Sequence, residues 1–230
     1  MDHITGVIGA MEQELTLLKD AASIRRRVSR AGMDFHLGTL DGAQAVIVQC
    51  GMGKVNAGLC VQILADEFRV TRVVNTGVAG SLDDRLRVGD IVISTDAVQH
   101  DFDVSPLGFQ KGEIPYTGLY AFPADAALRR RALEAAKTAA DVSVYEGRVC
   151  SGDQFISDAD VKARIIREFG GLCCEMEGAA IAQASYLNGL PFVIVRAISD
   201  SADGESPASF EQFTARAAAN CAAIVRGMLK

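Results

Sequence analysis

The sequence contains no tryptophan, three histidines and five prolines in 230 residues. The histidines, His3, His36 and His100, are scattered, and no Cys-x-x-Cys pair or zinc-like Cys/His spacing occurs. His100-Asp101-Phe102-Asp103 puts three donors in one loop without a partner cluster, so it reads as a surface or interface loop and no metal is expected. The cysteines, Cys50, Cys60, Cys150, Cys173, Cys174 and Cys221, mostly lie in apolar surroundings, where a reduced thiol packs as a small hydrophobe. That pattern predicts a reducing, cytoplasmic compartment. There is no excess of positive charge. The net charge of −6 argues against nucleic acid or an anionic membrane as the main partner, while leaving room for a small uncharged ligand. No apolar stretch reaches the roughly 20 residues a membrane span needs. Asp2 and His3 precede only a short apolar run, so no signal peptide is expected. Gly51-Met52-Gly53-Lys54 lacks the spacer and Ser/Thr of a P-loop, and Gly77-Val78-Ala79-Gly80 is not a dinucleotide fingerprint. No cofactor is expected.

What is present is an alternation of strand-like and helix-like segments. Strands are predicted over 4–9, 43–50, 72–76, 90–94, 148–151 and 191–198. Helices are predicted from 11 to 19, from 54 to near 68, from 124 to 140 and from 210 to 229. Gly77–Ser81 reads as a turn, and Arg25–Arg27 and Arg129–Arg131 as solvated helix faces. The alternation predicts one α/β domain over 1–230, a three-layer sandwich with a mostly parallel twisted sheet between helices. The long irregular stretch 99–122 is expected to be functional or to lie at an interface.

Acids at the ends of three strand-like runs mark candidate chemistry. Glu175 and Glu177 follow one apolar run, Asp200 follows Phe192–Val195, and Glu14 follows the first strand. Carboxylates at strand ends are costly without a purpose, and ligands of open α/β sheets sit there. Each acid alone also has a plain structural reading. Glu175 and Glu177 could be helix-start charges, Asp200 an N-cap and Glu14 an exposed helix residue. Functionally, a carboxylate accepts from sugar hydroxyls, and a buried carboxyl with a raised pKa can act as a general acid.

Seven segments in order carry a resemblance. They are Ile8–Glu14, Gly51–Ala57, Asn75–Gly80, Val88–Val92, Ser151–Ile156, Glu175–Glu177 and Arg196–Asp200. Together they resemble the 5′-methylthioadenosine/S-adenosylhomocysteine nucleosidases, nearly end to end. The resemblance implies a nucleoside phosphorylase-like fold and hydrolysis of the N-glycosidic bond between adenine and a 5′-thioribose. It implies Asp200 as the acid that protonates adenine N7, with Glu177 and Glu175 at the sugar. Glu14 would be the base for water, and Arg196 would help place that water. Phe155 and Ile156 would hold the purine. Met11, Met52, Met176 and Phe210 would wall the ribose and thioalkyl tail, with Val78 and Ser199 nearby. The family's dimer implies a partner loop around Val104, Leu107, Phe109 and Pro115. Val78 replaces a frequent Ser, which predicts a modest effect on turnover.

Two other enzymatic readings share this fold: a phosphorylase and a futalosine-type hydrolase. A phosphorylase needs arginines for phosphate, and this chain has Asn75 and Glu14 at those places. A non-catalytic nucleoside-binding protein would not need all three acids.

Overall fold

The computed structural model describes residues 3–138, 142–202 and 207–230, with the side chains of 207–216 outside that set. In chain order the elements begin β1 (Thr5–Gly9), α1 (Glu12–Ala21), β2 (Ala22–Arg30), β3 (Met33–Leu40), β4 (Ala43–Gln49) and α2 (Lys54–Asp66). They continue with β5 (Arg72–Ser81), β6 (Ile91–Gln99), β7 (Phe122–Pro123), α3 (Ala126–Ala136) and β8 (Val144–Ser151). The last are α4 (Ala159–Phe169), β9 (Cys173–Glu175), α5 (Gly178–Leu187), β10 (Phe192–Asp200) and α6 (Pro207–Leu229).

All the strands join one sheet. Parallel pairs β4–β1–β5–β10 run through its middle. β10 also pairs antiparallel with β6, and β6–β8–β9 leads back to β5, so this half of the sheet closes on itself. The other half extends outward as the antiparallel meander β4–β3–β2. β10 reads Phe-Val-Ile-Val and is buried on both faces because helices or strands cover each side. α3 packs against α6, and α2 against α5.

Two expectations need correction. Gly77–Ser81 is not a turn but the second half of β5, which pairs with β10 through Gly80. Its glycines are there because of crowding. A Cβ on Gly77 would lie 2.3 Å from a Glu14 oxygen, and one on Gly80 would lie 2.9 Å from Asp200 Oδ1. Arg25–Arg27 lie on the edge strand β2, not on a helix. Alternating polar residues and cations suit an exposed edge that must not pair with other chains. Arg129–Arg131 do lie on a helix, α3.

Candidate active site

The ends of β1, β4, β5, β9 and β10 converge on one cleft of about 580 Å³, its open mouth included. That is the size of a small-molecule site. Its lining includes Met11, Glu14, Met52, Val78, Phe155, Ile156, Glu175, Met176, Glu177, Ser199 and Asp200, eleven of the residues expected from the sequence. Arg196 does not line it, the side chain of Phe210 lies outside the described residues, and Val104, Leu107, Phe109 and Pro115 are not part of the lining. Leu107 lies in a 3₁₀ turn, Ser105–Leu107, and is 74% exposed.

Glu14 is a buried residue, not an exposed helix position. It sits at the third position of α1 and turns back toward the helix start. Its Oε2 accepts from the backbone N–H of Ala10 at 2.7 Å and of Met11 at 2.9 Å, and its Oε1 accepts from Val78 N–H at 3.0 Å. The helix start thus uses Glu14 to satisfy orphan donors. Burial pushes its carboxyl above the ordinary value, against the pull of Arg196 and the three N–H groups. The contact with Val78 is made by backbone, so it survives the exchange of Ser for Val at that position.

Glu175 closes β9 and caps α5. It accepts from the N–H groups of Glu177 at 3.1 Å and Gly178 at 2.8 Å, from Ser151 Oγ, and from Arg196 Nη2 at 2.5 Å. Ser151 Oγ in turn accepts from Ala179 N–H at 2.7 Å. Glu177 points the other way, and its Oε1 accepts Gly53 N–H at 2.8 Å. Burial, then repulsion from Glu175, lifts the Glu177 carboxyl to about 7.

Arg196, expected to help place the water, is absent from the cleft lining. It is 2% exposed and lies beneath the cleft, with Nη2 shared between Glu175 and Asn75 Oδ1 at 2.6 Å. Burial alone would lower its pKa, but Glu175, Glu14 and Glu177 more than offset this and hold it above the ordinary value. It is the counter-charge that lets several carboxylates share a small volume.

Asp200 ends β10 half-buried. Ser199 Oγ donates to its Oδ2 at 2.8 Å and Ala202 N–H to its Oδ1 at 2.9 Å, and Asp200 lines the cleft together with Glu14 and Glu177. Ser199 Oγ also lies 3.3 Å from the carbonyl oxygen of Ala79. Apart from Gln154 and Gly80, the rest of the walls is apolar. Met52 and Phe155, 63% and 59% exposed, form the rim.

Sequence reasoning did not single out the lining by Ala10, Ala79, Gly80 and Gln154, which lie inside the quoted segments, or by Cys174, which precedes one. It also missed the backbone donors Gly53 and Val78, which carry no side-chain signal.

A half-closed α/β sheet with a carboxylate-rich cleft at its strand ends is the design of a nucleoside-cleaving enzyme, and the phosphorylase superfamily model matches residues 4–230. A 5′-methylthioadenosine/S-adenosylhomocysteine nucleosidase of Geobacillus thermodenitrificans is 44% identical over 97% of this chain and 94% of its own length. The crystal structure of such a nucleosidase from Colwellia psychrerythraea, in complex with adenine, superposes with a TM-score of 0.96 at 39% identity, covering 100% of this chain and 95% of that one. A futalosine hydrolase of Helicobacter pylori superposes at 0.93 with 30% identity, covering 98% and 97%. The chain belongs to the 5′-methylthioadenosine/S-adenosylhomocysteine nucleosidase family.

Proposed function

We propose that this protein hydrolyses the N-glycosidic bond of 5′-methylthioadenosine and S-adenosylhomocysteine, releasing adenine and a thioribose. One observation carries the choice of hydrolysis. The charged lining of the cleft is Glu14, Glu175, Glu177 and Asp200, and among the described residues no Lys or Arg joins it. Such a lining repels phosphate and suits water as the nucleophile.

The resemblance to the family gives each residue its role, and the position of the carboxylates in the cleft supports the assignment. Asp200, hydrogen-bonded by Ser199, gives a proton to N7 of adenine as the C1′–N9 bond breaks and its electron pair enters the purine. Adenine then leaves neutral. Glu177 accepts from the ribose hydroxyls and, ionised, faces the positive sugar of an oxocarbenium-like transition state. Glu14 accepts a proton from the water whose oxygen bonds to C1′. A carboxylate whose pKa burial has raised is a better base than a solvated one. Glu175 and Arg196 hold these groups in place. Phe155 stacks on the purine and the Ile156 backbone reads its edge, while Met11, Met52 and Met176 wall the sugar and tail. The flexible thioethers suit variable 5′ groups.

Curated nucleosidases at 38–44% identity over nearly the whole chain favour this substrate class over the futalosine class, represented by a structure at 30%. A loop carrying Val104, Leu107, Phe109 and Pro115 from a second copy would close the thioalkyl end of the cleft in a homodimer. Among the described residues no helix is long and apolar enough to cross a membrane. All six cysteines are free and buried, which fits a cytoplasmic enzyme of thionucleoside turnover and methionine salvage. The test is adenine release from 5′-methylthioadenosine by the wild type and by Asp200→Asn. Near-normal turnover in that variant refutes the general-acid role.

A further inference from the structure

Away from the carboxylates, a ring of short polar contacts ties two walls of the cleft together. Asp101, two residues past β6, is its centre. Its Oδ1 accepts from Lys54 Nζ at 2.5 Å, and its Oδ2 accepts from Asp153 N–H at 2.8 Å. Asp153 Oδ1 in turn accepts from Lys54 N–H at 2.8 Å, which closes the ring. Lys54 Nζ also donates to Gln99 Oε1 at 3.1 Å, and Gln99 Nε2 donates to Gln183 Oε1 of α5. The Lys54 and Asp101 side chains are each 18% exposed, so each depends on the other for its charge to be tolerated. Two glycines permit the close approach. Gly53 has φ +95°, and a Cβ there would stand 3.1 Å from Asp153 Oδ1. A Cβ on Gly152 would stand 2.5 Å from the His100 ring and 3.0 Å from Asp101 Cγ. Of the two sequence readings, a surface or an interface loop, the ring of contacts disfavours a freely solvated loop at His100-Asp101.

Each wall joined by the ring carries part of the site. On one wall, Gly53 N–H meets Glu177 Oε1. On the other, Gln154, Phe155 and Ile156 follow Asp153 directly into the cleft lining. We propose that Asp101, acting through Lys54 and Asp153, is a positioning residue that sets the spacing between the Gly53 hydrogen bond on Glu177 and the segment Gln154–Ile156. The inference rests on the nucleosidase reading for its kinetic test.

The clamp has a distinctive signature. The Gly53 N–H favours the ionised form of Glu177, so loosening it raises the pH at which Glu177 ionises. The other groups facing Glu177 are Glu175 of β9, Arg196 of β10, Glu14 of α1 and Cys50 after β4, and none is a member of the ring. Activity that requires ionised Glu177 then needs higher pH.

The experiment follows adenine release from 5′-methylthioadenosine between pH 5 and 9, and the melting temperature over the same range, in wild type, Asp101→Asn, Lys54→Met and Lys54→Arg. Asp101→Asn and Lys54→Met should lower kcat about tenfold or more. Both should move the acidic limb of kcat/KM up by about one pH unit. Lys54→Arg, which keeps the cation, should bring the limb back toward the wild type. Lower activity with the limb unmoved in both variants overturns the proposal and leaves the ring a plain structural support. Should the wild type release no adenine, the nucleosidase reading fails and the melting data decide. In that case the pH-dependent fall in stability due to Glu177 shifts upward in Asp101→Asn if the clamp exists and stays in place if it does not.

Discussion

Replacing Glu177 by Gln separates the charge of the site from its shape. Glu177 is 5% exposed, and burial with repulsion from Glu175 raises its carboxyl from 4.5 to about 7. The folded chain therefore binds this proton more tightly than the unfolded chain. Stability must fall as pH rises from about 4.5 through 7 and level off above. At about 1.4 kcal/mol per pH unit, the ionised group costs the fold on the order of 3 kcal/mol at pH 8 and close to nothing at pH 4.5. Gln keeps an oxygen for Gly53 N–H and removes the charge. The variant should melt above the wild type at pH 8, by roughly 5–10 °C for a chain of this size. The difference should shrink toward zero at pH 4.5, while adenine release at pH 8 is largely lost. Scanning calorimetry from pH 4.5 to 8 measures it. A difference of the same size at both ends, or none at either, refutes the electrostatic reasoning.

Asp200→Asn should remove most turnover while a purine nucleoside still binds, as titration calorimetry would record. Glu14→Gln should hurt chemistry more than binding. It must also turn an amide NH2 toward backbone donors now served by carboxylate oxygens, at a stability cost of about 1–3 kcal/mol seen in denaturant melts. Gly77→Ala places a methyl 2.3 Å from Glu14 and 2.5 Å from Arg196 Nη1, so it should displace both and cut kcat by about a hundredfold. Val78→Ser should change kcat only a few-fold, because Val78 holds Glu14 through its backbone.

The central strands and most helices were legible because each is a continuous apolar run or a clear helical repeat. β10 and α6 are examples. The edge was not. β2 carries Arg-Arg-Arg with one buried residue, a pattern that only pairing with β3 makes into a strand. β5 hid its second half behind glycines that local reading takes for a turn, while the reason for those glycines is crowding by side chains distant in sequence. In the site, the carboxylates stood out because acids after apolar runs are rare. Arg196 could not be placed beneath the cleft from sequence, since its partners Asn75 and Glu175 come from other strands. The Lys54–Asp101 pair spans 47 positions and was invisible as a unit.

The most direct test of the account is adenine release from 5′-methylthioadenosine in phosphate-free buffer, repeated after phosphate is added. Release without phosphate at an unchanged rate is the predicted result and supports water activated by Glu14. Release that requires phosphate would contradict the hydrolytic reading of the carboxylate-lined cleft.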